Sequence, residues 1–363
     1  MNLNTLKGLL VLLVVVDHND FSRSIFPGFL HGFSFHVVGF LIIPFLKPAA
    51  IWSNDYLNYV FRLYFPFLVI ATMTALIVFV VTPVTALAQT KLWLLALYSG
   101  NSDVLKQTTH MALLWFLPSF IALVSIYTAI QNSSRAGKAT AIALLCAAHL
   151  FIGTLAATGI QRYLPLGVLP ALYVVPLAYL GVLIHQKFYL PVPPLTAILI
   201  STIIFVAIKY TQMKAGLRTE IGFSEVADFS NPIGLLLNDL EAIGGVLFLF
   251  QLSRIKLGAF VDLCGKYSLQ IYLFHAFVAL IVYKVLLRIG AEWPVLILFA
   301  SSLLITVLAT AWLARLLGEH KLVKRFLFPR SPREFLGLSP MPFPQKAMLD
   351  VQASQDKKTD ATQ

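Results

Sequence analysis

Ionisable side chains inside long apolar runs are the residues of this chain best suited to chemistry, because a charge held away from water is costly and is kept where it acts. The first such run, LKGLLVLLVVVDH, opens on Lys7 and closes on His18. Eleven positions separate the two. At about 100° per residue they lie about 20° apart around a helix and about 16 Å apart along it. One helix face therefore joins a cation to an imidazole, with Val11, Val14 and Val15 between them. A histidine of free pKa about 6.5 is largely neutral at pH 7 and suits proton abstraction from a hydroxyl. The plain structural alternative is that Lys7 reaches to lipid phosphate while His18 finishes the helix. Asp17 points about 100° away from His18, which argues against a dyad within the helix.

Further candidates follow along the chain. His36, in GFSFHVVGFLIIPFLKP, falls about two turns into the second apolar run. An antiparallel pair of helices would bring it to the depth of His18. His31 is five positions away and shares no helix face with His36, so no metal pair is expected there. Arg62, in YVFRLYFPF, stands at a helix mouth among aromatics, where it suits phosphate or carboxylate recognition or simple anchoring. Trp115, in HMALLWFLPSF, reads as an interfacial aromatic. His275, in KYSLQIYLFHAFV, is either a working imidazole or a buried histidine bonded to a neighbouring helix, and His149 reads as structural. Cys146 and Cys264 show neither a metal-ligand spacing nor a disulfide framework. Phosphate-loop, dinucleotide, zinc-protease, CxxC and nucleophile-elbow motifs are absent. No metal is expected.

The elements that must position these residues are set by composition. Apolar residues make up 58% and charged residues 12% of 363 positions. Soluble domains run nearer 45–50% and about 25%. Most of the chain must therefore have lipid as its solvent, which excludes a soluble enzyme, a nucleic-acid module, a disulfide scaffold and a disordered protein. Read with a ruler of about 20 apolar residues per crossing, the sequence predicts ten spans, near 5–22, 29–46, 60–81, 111–130, 139–157, 166–185, 192–209, 233–252, 268–288 and 294–317. The stretch 84–99 is short, carries Lys91 and reads as interfacial or re-entrant. The N-terminal run has no small-residue cleavage pattern and reads as a retained first helix.

The net charge of +11 fits basic cytoplasmic loops and anionic lipid. Arg315, Lys321, Lys324, Arg325, Arg330 and Arg333 follow the last span, and Arg135, Lys138, Arg254, Lys256 and Lys266 fall in loops of the same side. Both termini are therefore expected in the cytoplasm. The acceptor-like Asn132-Ser133-Ser134 falls on that side and is discounted as a glycosylation site. The opposite loop 209–218 is less clean, with Lys209, Lys214 and Arg218. Acidic Glu220, Glu225, Asp228, Asp239 and Glu241 follow it. The division is a transmembrane domain over 1–320 and a basic, then polar, cytoplasmic tail over 321–363.

These pieces together resemble the acyltransferase-3 family of integral-membrane acyltransferases, nearest its fucose 4-O-acetylase-like branch. LKGLLVLLVVVDH looks like the opening helix of that family, FSFHVVGFLIIPFL its second, and FRLYFPF its Arg-and-Pro approach to the third. LLWFLPSFIALV is similar to its Leu-Trp-Phe-Leu-Pro element, LPLGVLPALYVVPLAYLGVLI to its mid-chain helix, and SLQIYLFHAFV to its Ser-Leu-x-Ile-Tyr-x-x-His element. The six stand in order over about residues 5–275. Lys7 stands where that family usually has Arg, keeping the charge without the bidentate fork. Ile43-Pro44 stands where many members have Ser-Gly.

The resemblance implies an all-α, polytopic bundle that moves an acyl group, acetyl foremost, from acyl-CoA to a sugar hydroxyl. The acceptor would be an envelope polysaccharide, lipid-linked glycan or exported glycolipid. It implies His18 as motif histidine, with Lys7 and Arg62 toward the donor. His36 and His275 are expected beside the base, and Trp115 and Tyr272 at the acceptor or in structural roles. No permanent cofactor is expected, acyl-CoA being a co-substrate. The expected location is a bacterial cytoplasmic (inner) membrane. A transporter or flippase for a glycan or small acid is the other class open to a bundle with buried His and Lys.

Overall fold

The computed structural model describes residues 2–25, 34–46, 54–81, 86–189, 191–214, 232–290 and 292–338. His31, Arg218, Glu220, Glu225, Asp228 and the tail from 339 lie outside them. The described residues form helices and turns with no strand. This is what hydrocarbon demands, since a helix satisfies its backbone donors and acceptors within one segment.

In chain order the α-helices are α1 (Leu3–Asp17), α2 (Ser22–Ile25), α3 (Ser34–Leu46), α4 (Asn54–Val81), α5 (Ala86–Ser99), α6 (Ser102–Thr109), α7 (Phe116–Gln131), α8 (Arg135–Leu150), α9 (Ile152–Ala157), α10 (Val168–Ile184), α11 (Pro194–Lys214), α12 (Pro232–Leu252), α13 (Ala259–Lys266), α14 (Ser268–Ile289), α15 (Val295–Glu319), α16 (Lys321–Leu327) and α17 (Pro332–Phe335). Among the described residues, seven segments are long and apolar enough to cross a membrane: those containing α4, α7, α10, α11, α12, α14 and α15. The ten-span expectation also drew on α1, α3 and α8, whose described lengths are 15, 13 and 16 residues. The first of these stops at Asp17, where the polar run Asp17-His18-Asn19-Asp20 ends the apolar pattern. The expected span at 139–157 breaks at Phe151 into α8 and α9. Residues 86–109 form the short helices α5 and α6 rather than a long crossing. Pro44 sits inside α3, which continues to Leu46.

The interior is built around α7 and α12, the two most buried of the long helices, while α11 and α15 turn most of their surface outward. Small residues let the inner helices approach closely. A Cβ on Gly8 would fall 2.0 Å from the Val261 carbonyl oxygen, and one on Gly265 would fall 1.8 Å from that of Asn4. α1 and α13 therefore meet backbone to backbone. Gly245 of α12 receives the ring of Phe35 in the same way. Asn2 caps α1 by accepting from the Asn4 amide, and its own amide donates to the Ser253 carbonyl at 3.0 Å.

These contacts gather the basic segments at one end of the bundle. The start of α1 meets Ser253 and Asp262, and Tyr267 donates to Glu319 at the close of α15. Arg254 donates to the Tyr189 carbonyl, and Phe335 of α17 packs on Phe65 of α4 with ring centroids 4.8 Å apart. Arg254, Lys256, Lys266, Arg315 and the cations of α16 and α17 thus share this end.

Gly265→Ala should cost about 3 kcal/mol, the upper end of overpacking penalties, because backbone rather than a side chain blocks the added methyl. Gly159→Ala, at φ +70° with open space around it, should cost only the left-handed strain of about 1–2 kcal/mol. Thermal unfolding of both variants in detergent tests this; equal losses would dismiss the α1–α13 contact as a determinant.

Candidate functional site

α1 ends in a polar corner. His18 is its C-cap, and the His18 Nδ1 lies 2.9 Å from the Val14 carbonyl oxygen. A carbonyl only accepts, so Nδ1 holds the proton of the neutral ring and Nε2 holds the lone pair. The ring of His275, from α14, meets that of His18 edge to face, with centroids 5.1 Å apart and planes at 81°. His275 Nδ1 is 2.6 Å from the Tyr272 carbonyl oxygen and 3.2 Å from that of Ile271, which assigns the same tautomer. Its Nε2 is buried and has no hydrogen-bond partner. An unsatisfied buried acceptor costs about 1–3 kcal/mol, so a ligand hydroxyl there would remove a penalty.

His36 comes from the start of α3. Its Nε2 lies 3.9 Å from the Asp17 carboxylate, whose same oxygen, Oδ2, lies 4.0 Å from His18 Nδ1. Both separations exceed hydrogen-bond length, so the absence of a tight Asp17–His18 dyad within one helix agrees with helix geometry. What sequence reasoning missed is that Asp17 reaches the histidine of the neighbouring helix. His36 and His275 are also close enough to interact electrostatically. Three imidazoles from α1, α3 and α14 and one carboxylate thus share a corner. His18 is 40% exposed in its side chain, His36 3%, and His275 is fully buried.

Tyr272 lies one turn before His275, their ring centroids 6.0 Å apart, and its hydroxyl donates to the Leu113 carbonyl. Phe116 packs between Tyr272, tilted to it, and Trp115, edge to face, at centroid separations of 5.1 and 6.0 Å. Trp115 is therefore tied to the corner through Phe116. It also borders a cavity of about 10 Å³ beside Asn101 and Ser119, room for one water.

Lys7 and Arg62 do not join the imidazoles. Lys7 is half-buried near the basic end of α1. Arg62 is exposed on α4, within electrostatic reach of Tyr59 and a turn from the Phe65–Phe335 contact. Two further buried polar groups are held by neighbouring helices, one of them placed differently by the sequence reading. Lys209 is not a loop residue: α11 runs to Lys214, and Lys209 Nζ donates to Glu241 Oε1 of α12 at 2.8 Å, both side chains fully buried. His149, read as structural, has both nitrogens engaged. Nδ1 donates to the Tyr173 carbonyl and Nε2 meets Asp239 Oδ2, each at 2.9 Å, while Tyr173 Oη donates to Oδ1. Asp239 and Glu241 fall within the expected span 233–252, but their roles were not foreseen; the i, i+2 spacing sends them to different partners from one helix.

Among the described residues no group of three or more His, Cys, Asp or Glu side chains is arranged to hold a metal ion. Cys264 is buried in α13, and burial pushes its thiol up to about 11, which leaves it unreactive at neutral pH. Comparison of the chain with family models, curated proteins and solved structures finds no match.

Diethyl pyrocarbonate, which attacks an unprotonated ring nitrogen, should modify His18 several-fold faster than His36 or His275. Peptide mass spectrometry over a time course reads this. Equal rates at all three would mean that the corner is open to solvent around His275.

Proposed function

We propose that this protein is an integral-membrane O-acyltransferase, most simply an O-acetyltransferase, that moves an acyl group from acyl-CoA to a sugar hydroxyl. The observation that carries this reading is the convergence of His18, His36, His275 and Asp17 from three helices. The order of sequence elements resembling acyltransferase-3 proteins supplies the reaction class. In the proposal α1, α3 and α8 join the seven longer helices to make ten crossings, with the basic end in the cytoplasm of a bacterial inner membrane. The acceptor is a glycan of the envelope or a lipid-linked or exported glycolipid.

His18 Nε2 accepts the hydroxyl proton as the sugar oxygen attacks the thioester carbon. The tetrahedral intermediate then expels the thiolate of CoA, and the imidazolium returns the proton to that sulfur. Asp17, near both His18 and His36, stabilises the transient positive charge. The unsatisfied His275 Nε2 accepts a neighbouring sugar hydroxyl and orients the acceptor. Lys7 and Arg62, toward the basic end, attract the phosphates of the donor.

Proton transfer of this kind contributes about 10²–10⁴-fold, so His18→Ala should lower kcat by that factor at matched membrane abundance with acyl-CoA binding retained. His36→Ala and His275→Ala should lose less. The assay is acceptor-dependent CoA release by purified protein in detergent with a sugar acceptor. Near-normal turnover by His18→Ala, with His275→Ala inactive, would move the base to His275. A buried Lys209–Glu241 pair and the imidazole cluster also suit a proton-linked transporter. Uptake of glycan or acid into vesicles without CoA release would select that reading.

On the donor side, Arg62→Ala should raise the KM for acyl-CoA by about 10–100-fold, the loss of a charge-assisted hydrogen bond, with the KM for the sugar little changed. Lys7→Arg should retain activity. A folded but inactive Lys7→Arg would remove Lys7 from donor binding.

A further inference from the structure

A second feature lies apart from the imidazole corner. A cavity of about 700 Å³ opens between α7, α8 and α10, with Phe45 of α3 and Asp239 of α12 in its wall. Ligand sites commonly span about 300–1,000 Å³. The lining is mostly apolar, and Cys146, Leu150, Leu180 and Leu183 are exposed as well as lining it. In a bilayer that outward face meets hydrocarbon, so the cavity opens sideways to lipid rather than to water.

Its wall also carries Gln131, whose amide donates to the Tyr179 hydroxyl, and Gln186 at the exposed rim, so the chemistry of the inner end is set by the His149–Asp239 pair. His149 Nδ1 is committed to the Tyr173 carbonyl and Nε2 to Asp239, so the imidazole offers a ligand nothing. The pair holds one proton between ring and carboxylate and is neutral overall. The Tyr173 hydroxyl occupies one lone pair of Oδ1, and His149 one of Oδ2. The remaining lone pairs of Asp239 can only accept. The neighbouring charge on α12, Glu241, is already neutralised by Lys209. An anionic head would face a carboxylate, a cationic head would find no net charge to balance it, and an alkane would leave the remaining lone pairs of Asp239 unused.

We propose that this cavity is a lateral binding site for one neutral long-chain amphiphile, whose hydroxyl head donates to Asp239 and whose chain lies along Phe45, Tyr127, Leu180 and Leu183. The site is independent of acyl transfer at the imidazole corner and would exist in a transporter equally.

The test uses the full-length protein in phosphatidylcholine nanodiscs with a C16 alcohol carrying a mid-chain diazirine. After photolysis, adducts should map to peptides of α8 and α10 that line the cavity. Excess hexadecanol should compete, whereas hexadecane and hexadecyl phosphate should compete about tenfold less well, the loss of one hydrogen bond to a charged acceptor. Leu183→Trp, at the exposed rim, should abolish the adducts while leaving the protein folded. Asp239→Asn should keep the adducts but remove the preference for alcohol over phosphate. If Asp239→Asn does not fold, the competition series on the native protein and Leu183→Trp still decide. Adducts spread evenly over α11 and α15, or equal competition by all three amphiphiles, would overturn the proposal.

Discussion

The contact of α1 with α13, made without side chains between the two backbones, is the constraint on which the imidazole corner depends. Gly8 and Gly265 remove the methyl groups that would hold these helices apart. The approach draws α1 deep into the bundle, against α3, α12, α14 and α15. With α1 anchored at Asn2, its far end arrives beside His275 of α14 and His36 of α3. In lipid no hydrophobic drive brings helices together, since the tails are as apolar as leucine. Close van der Waals fit through small residues must do it instead.

The second constraint is that charge in hydrocarbon must be paired. Each buried ionisable group in the interior is handled differently. Lys209 and Glu241 neutralise each other completely, fastening the lipid-facing α11 onto the central α12. His149, Asp239 and Tyr173 share protons among themselves and tie α8 and α10 to the same helix. The imidazole corner is held more loosely than either. Its carboxylate stands at about van der Waals distance from two rings without a hydrogen bond to either, and one ring nitrogen is left with none. Structural polar groups in membranes are satisfied, and the unpaired His275 Nε2 is an acceptor that a ligand can complete.

The polarity of the bundle links the two regions. Arg62, the start of α1 and the cations of α16 and α17 lie toward one end, while the corner formed by Asp17 and His18 lies a helix length away. A polyanionic donor drawn to the basic end and a neutral acceptor near the imidazoles would meet within the protein rather than in water. The same separation would serve a transported anion. The proposed reaction class therefore rests on sequence elements and awaits turnover, and the geometry shows three imidazoles and a carboxylate gathered at one corner.

Much of this was legible before any coordinates. Apolar runs of about 20 residues dictate helices, because no other structure satisfies the backbone in lipid. The shared face of Lys7 and His18 follows from helical periodicity alone, as does the placement of Asp17 on a different face. Which helices touch was not legible, since apolar periodicity says only that a face is buried, and every long run here is apolar nearly all round. That is why His36 and His275 could be nominated but not joined, and why Asp17 was set aside when only its own helix was considered. Lys209 sat at the boundary between an expected span and a loop, while Asp239 and Glu241 fell inside an expected span with no partner foreseen. Their burial depends on partners 32 and 90 positions away, and only tertiary packing, by lowering the cost of charge through pairing, decides that they belong inside.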